Sequence, residues 1–182
     1  MEHKHEEGKF NFEFEENTSL EDKIRIIVNE QIIKPYSQKA SKEAEVYIYY
    51  TEAEQRLVPL EKEMAFRILS TWKLDLYDVD FDEIVDSLIF IPEGRFMDSL
   101  FHTKILRLLP AGVTIHSIGI SPTLAERLTL AMGHAISEMS CTYFTSLRKG
   151  EKVEAKDVYK YETFVNLIDD YLVEYNKHLV KW

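Results

Sequence analysis

The sequence predicts a mainly α (α+β) fold, a compact bundle of about five or six helices with two or three short strands. Apolar side chains recur every three or four residues along most of the chain, the spacing that lines one face of a helix. Only two runs, "VYIYY" at 46–50 and "VTIHSIGI" at 113–120, combine brevity with the β-branched and aromatic content of strands. The six glycines and five prolines form no repeat and mark turn signals such as "PEG" at 92–94 and "PAG" at 110–112.

Residues 1–17 read as an N-terminal arm, mobile or docking, ahead of a single helical domain at 18–182. In the arm, Phe10, Phe12 and Phe14 alternate with Asn11, Glu13 and Glu15, so an extended chain puts three rings on one face. The first helix is announced by Thr18 and Ser19, which stand three residues ahead of Glu21 and Asp22 in the capping-box spacing, and by the stripe Leu20, Ile24, Ile27 and Val28. Pro35 is expected to stop it, and "PYSQKASKEAE" to form a polar linker into the "VYIYYT" strand, with a helix running into "TEAEQ" as the alternative there.

Beyond Pro59, Leu60, Met64, Ile68 and Trp72 step by four and predict a helix of about four turns. Asp80, with Glu83 three residues on, caps a further helix carrying Phe81, Ile84, Val85 and Leu88, and Phe96, Leu100, Phe101 and Ile105 predict another between the two turn signals. Ser121-Pro122 opens the longest helix, about 122–148, with Leu124, Leu128, Ala131, Met132, Ala135, Met139 and Tyr143 on one face. Its Ala131, Gly133 and Ala135 allow a neighbouring helix to come close. "RKGEK" ends it, and a last helix runs from about 155 towards Trp182.

Composition narrows the function classes. The 22 Lys+Arg against 32 Asp+Glu give a formal charge of −10, which disfavours nucleic acid and anionic membrane as partners. A lone cysteine, Cys141, makes no internal disulfide and points to a reducing, intracellular location, cytoplasmic or in a virion. Neither an apolar run of membrane-spanning length nor the apolar core of a signal peptide is present in the sequence.

Among candidate chemistries, Asp78, Asp80 and Asp82 have calcium-loop spacing, but Glu83 and Ile89 occupy the positions that such a loop gives to glycine and a bidentate glutamate, leaving only weak candidates for a divalent cation. "GISPT" at 119–123 sets Ser121 where a nucleophile elbow would, but Thr123 replaces the glycine and Pro122 removes an N–H, so Ser121 reads as a helix cap. No phosphate-cradling glycine motif and no helical histidine pair occur, and no cofactor is expected.

Aromatic residues make up 12% of the chain, and the tyrosines cluster in partly polar settings. The leading expectation is therefore a non-enzymatic interaction or assembly protein, a structural subunit, a phage-like particle component or a regulatory partner. It would bind a protein partner or its own copies through Phe10, Phe12, Phe14, Tyr47, Tyr49 and Trp182. The alternative is a small-ligand sensor or enzyme with a pocket beside the 122–148 helix, near His116, Ser121 and His134.

Overall fold

The computed structural model describes residues 14–44, 48–77, 79–89 and 119–179. The fold is mainly helical and bundle-like: α1 (Leu20–Val28), a π turn (Asn29–Ile33), α2 (Lys34–Glu43), α3 (Tyr50–Thr71), α4 (Phe81–Leu88), α5 (Pro122–Arg148), the one-turn α6 (Ala155–Val158) and α7 (Tyr161–Leu179). Helix α5 is the hub against which α1, α2, α3 and α7 all pack. Its middle is buried on nearly every side, from Ala131 to Ser137 save the half-buried His134, as befits a helix enclosed by neighbours.

The capping signals form as the sequence predicts. Ser19 accepts from the Asp22 N–H at 3.1 Å, Asp80 from the Glu83 N–H at 3.1 Å and Ser121 from the Leu124 N–H at 3.2 Å. Gly150, at φ 75°, takes the left-handed conformation that follows the end of α5, where a side chain would be strained. The close approach foreseen at Gly133 is also present. A Cβ built there would lie 2.9 Å from Ile33 Cγ1 and 3.2 Å from Met64 Sδ, so the missing side chain is what lets the π turn and α3 reach α5.

Pro35 does not stop the first helix. The chain passes from α1 through the π turn into α2, and the Lys34 N–H reaches back five residues to the Asn29 carbonyl. Proline removes the N–H that would bond four residues back and crowds that carbonyl, and a widened turn directly before it relieves the clash. The expected linker is thus the helix α2, whose Tyr36 and Ala40 are buried.

Pro59 likewise sits inside α3, on an exposed position, instead of starting the helix. An interior proline costs about 3 kcal/mol. Leu57, Met64, Ile68 and Leu69 are all buried on the same helix, with Trp72 directly after it, and each fully buried large apolar side chain contributes about 1.5–3 kcal/mol, so packing decides the outcome. Of the predicted stripe, Leu60 is only half-buried, and Glu61 takes the inward position one residue later.

Two residues of each strand-like run form a strand among the described residues. Among the described residues the only pairing joins β1 (Ile48–Tyr49) to β2 (Gly119–Ile120), antiparallel, with Ile48 opposite Ile120 and Tyr49 opposite Gly119. The described ends of the two runs therefore mate with each other, and α3 begins at Tyr50, directly after β1. The last helix is divided: α6 ends after one turn, Tyr159 and Lys160 leave the helix, and α7 begins at Tyr161. Tyr159 is buried, and its hydroxyl donates to Ser140 Oγ at 3.0 Å, which holds the break against α5.

Trp72 lies at the centre of the core with no exposed surface, its indole N–H donating to Ser137 Oγ at 3.1 Å and its ring tilted on Phe144 at 5.8 Å. Tyr36, Phe164, Ile33, Met64 and Ile68 are also large, fully buried side chains of the core. No helix of the described residues is long and apolar enough to cross a membrane.

Candidate functional site

A half-open groove of about 280 Å³ lies over α5, walled by α1 and the π turn on one side and α7 on the other. Arg25 and Ile26 enter from α1, Asn29 and Ile33 from the π turn, His134, Ser137 and Glu138 from α5, and Tyr171 from α7. The spacing on α5 explains the convergence: residues 134, 137 and 138 share one face of a helix, at i, i+3 and i+4. The π turn explains the other wall, since π turns re-aim side chains and are frequent at functional sites.

One cation and one anion face each other in the mouth. Arg25 Nη2 contacts both Glu138 oxygens at 3.0 Å, and Arg25 Nη1 lies 3.6 Å from Asp22. The two principal side chains are 41% and 44% exposed, so the pair sits at the groove's opening, reachable from solvent. Arg25 Nε, by contrast, is buried with no hydrogen-bond partner among the described residues.

Deeper in, the His134 ring stacks on Tyr171 with centroids 4.5 Å apart and planes 11° from parallel. Burial, aided by the Lys34 ammonium, holds the His134 pKa below the ordinary histidine value, which leaves the ring neutral at pH 7 with one donor and one acceptor nitrogen. Ser137 accepts the Trp72 indole N–H and keeps its own O–H proton for another acceptor.

A second groove, of about 330 Å³, lies between α5 and α6–α7. Its charged lining, Glu138 and Asp157, is acidic only, with Met139, Val158 and Leu167 beside it. Thr142 and Thr163 add hydroxyls, and that of Thr142 donates to the Glu138 carbonyl at 3.1 Å.

The sequence-predicted site residues fare unevenly. His134 lines the first groove. Ser121 is the N-cap of α5, its oxygen engaged with the Leu124 N–H. Tyr49 lies in β1 and Phe14 beside α1, with Lys23 Nζ 5.7 Å from its ring centroid. Asp80 is occupied as the cap of α4, Asp82 is exposed, and among the described residues no three His, Cys, Asp or Glu side chains gather as metal ligands. Phe10, Phe12, Tyr47, Asp78, His116 and Trp182 lie outside the described residues.

Arg25, Asn29, Ser137 and Glu138 were not foreseen as site residues. A signal existed for two of them, because Ser137 and Glu138 follow His134 on a helix otherwise lined with Ala, Met and Ile. Arg25 and Asn29 carry no such mark and reach the site only through tertiary packing. Cys141 is buried and its thiol is pushed up by burial, the opposite of what a reactive thiolate needs. No protein-family model, curated protein or solved structure matches this chain.

Proposed function

We propose that this protein is a small-ligand-binding protein, a sensor whose ligand sits in the groove between α1, the π turn, α5 and α7. The observation that carries the reading is the convergence of Arg25 from α1 with His134, Ser137 and Glu138 from α5 on one half-open groove of about 280 Å³. Convergent polar groups in a concavity that also holds apolar surface, here from Ile26, Ile33 and Tyr171, are a general mark of a ligand site, and packed helices commonly build one. Its size is near the lower end of the roughly 300–1,000 Å³ range of such pockets and suits a small metabolite better than a nucleotide or a lipid.

Titrating the isotope-labelled full chain with small polar molecules, followed by amide and imidazole chemical shifts, tests the reading. Shifts concentrated on Asn29, His134 and Ser137 support it. Binding that moves only residues away from the groove overturns it.

An interaction role remains the second reading. Leu76 is 73% exposed and Tyr77 38% exposed in the turn after α3, an apolar pair set in water beside Asp75. If this surface and the aromatic arm hold a partner or a second copy, removing residues 1–17 lowers the solution mass or abolishes partner capture. An unchanged mass and unchanged capture refute the arm's role.

A further inference from the structure

We infer that the ligand of this groove is a free α-amino acid with an apolar or aromatic side chain, its carboxylate received by Arg25 and Ser137 and its ammonium by Glu138. The inference rests on the groove being a ligand site and identifies the class of molecule it takes.

The argument starts from charge balance. Arg25 and Glu138 neutralise one another at 3.0 Å in the groove's mouth. A simple anion would take Arg25 and leave Glu138 unpaired in the groove's mouth, in a chain that already carries −10. A simple cation would take Glu138 and leave Arg25 only the longer 3.6 Å contact with Asp22. Either exchange gives up the two-oxygen contact between the guanidinium and the carboxylate without replacing it for one of the partners. A zwitterion whose two charges lie a few ångströms apart inserts into the pair, keeps every charge partnered and leaves the groove neutral.

The spare hydrogen bonds fit the same molecule. A carboxylate accepts several N–H or O–H donors, and the groove lining supplies the Ser137 O–H, whose oxygen is already fixed by Trp72, and the Arg25 guanidinium, whose Nε has no partner among the described residues. The rest of the lining is made for a side chain. Ile26 and Ile33 are aliphatic, and the stacked His134–Tyr171 pair presents a flat, uncharged surface.

Isothermal titration calorimetry on the full chain distinguishes the possibilities, with L-leucine and L-phenylalanine as zwitterions and N-acetyl-L-phenylalanine and L-phenylalaninamide as analogues blocked at one end. The expected result is saturable binding of the zwitterions and at least a tenfold loss of affinity for each blocked form. Arg25→Gln should lose the zwitterion while melting cooperatively. Should that variant unfold, the His134 imidazole shifts of the unaltered protein report the same site. Blocked analogues that bind as well as the parent, with shifts at His134, overturn the amino-acid assignment and leave the groove a ligand site. Absence of any groove shift with zwitterions, blocked analogues and neutral polar molecules alike overturns both.

Discussion

Glu61 faces inward on α3 between Leu57 and Met64 and is 6% exposed, with no hydrogen-bonding or ionic partner among the described residues. Burial alone pushes its pKa from 4.5 up to about 8. In the unfolded chain the same carboxyl titrates at its ordinary value. The folded state therefore holds a proton that the unfolded state gives up between pH 4.5 and about 8. A raised pKa contributes full stability below the unfolded value and loses it as pH rises through the folded value. At 1.36 kcal/mol per pH unit, the loss is about 3 kcal/mol at pH 7 and about 5 kcal/mol above pH 8, a large part of a typical domain's stability. Glu61→Gln replaces the neutral acid by a neutral group of the same shape that cannot ionise. It should match the original protein at pH 4, exceed it by about 3 kcal/mol at pH 7 and by more at pH 9. Urea unfolding followed by circular dichroism at pH 4, 5.5, 7 and 9 measures this directly. His134 acts with the opposite sign, because its lowered pKa removes stability as pH falls below the ordinary histidine value, and comparing variant with parent at each pH cancels it. Parallel stability profiles for the two proteins from pH 4 to 9 would refute the reasoning, since they would mean that Glu61 ionises in the folded state as it does in water.

Three other changes probe the packing around the groove. Gly133→Ala places a methyl carbon 2.9 Å from Ile33 Cγ1 and 3.2 Å from Met64 Sδ, and should cost about 1–3 kcal/mol in chemical denaturation, partly recovered by adding Ile33→Ala. Ser137→Ala leaves the indole N–H of the fully buried Trp72 without its acceptor, and should cost about 1–3 kcal/mol and alter the tryptophan emission spectrum. Ser121→Ala removes the cap that accepts the Leu124 N–H and should lower stability by about 1 kcal/mol, with hydrogen exchange faster in the first turn of α5 and unchanged in its middle.

What the sequence disclosed and what it hid divide along physical lines. Caps are local: Ser19, Asp80 and Ser121 lie within three residues of the N–H groups that they satisfy, and each is where the pattern puts it. The long amphipathic α5 is legible for a related reason, since its period is written in its own residues. Both proline expectations failed because proline's cost is local whereas the burial that outweighs it is tertiary. Pro35 and Pro59 sit in helices whose inward faces meet α5, a contact made across about a hundred residues of chain. Glu61 was invisible for the complementary reason: a glutamate beside Leu60 and Lys62 reads as solvent-facing, and only the register of α3 turns it inward. The groove shares that dependence. His134 was marked by its own helix, but Arg25 comes within 3.0 Å of Glu138 only because α1 lies antiparallel to α5, an orientation that the Arg148–Glu21 contact of 2.6 Å also records.

The π turn ties the misread proline to the site. Ile24, Val28, Ile32, Tyr36, Ala40 and Ala44 step by four across Pro35, and all are buried. In a regular α-helix each four-residue step overshoots a full turn by about 40°, so such a stripe would drift by about 200° from end to end and leave the core before reaching Ala44. A π turn holds more residues per turn and takes back a large part of that drift. The stripe and the proline thus call for the same widened turn, one to keep the buried face aimed at α5 and the other to clear the carbonyl that its ring would strike. The consequence for function follows from geometry. Widening the helix at 29–33 turns Asn29 towards the groove while Ile33 closes on Gly133, so the wall of the site and the continuity of the core come from one local distortion.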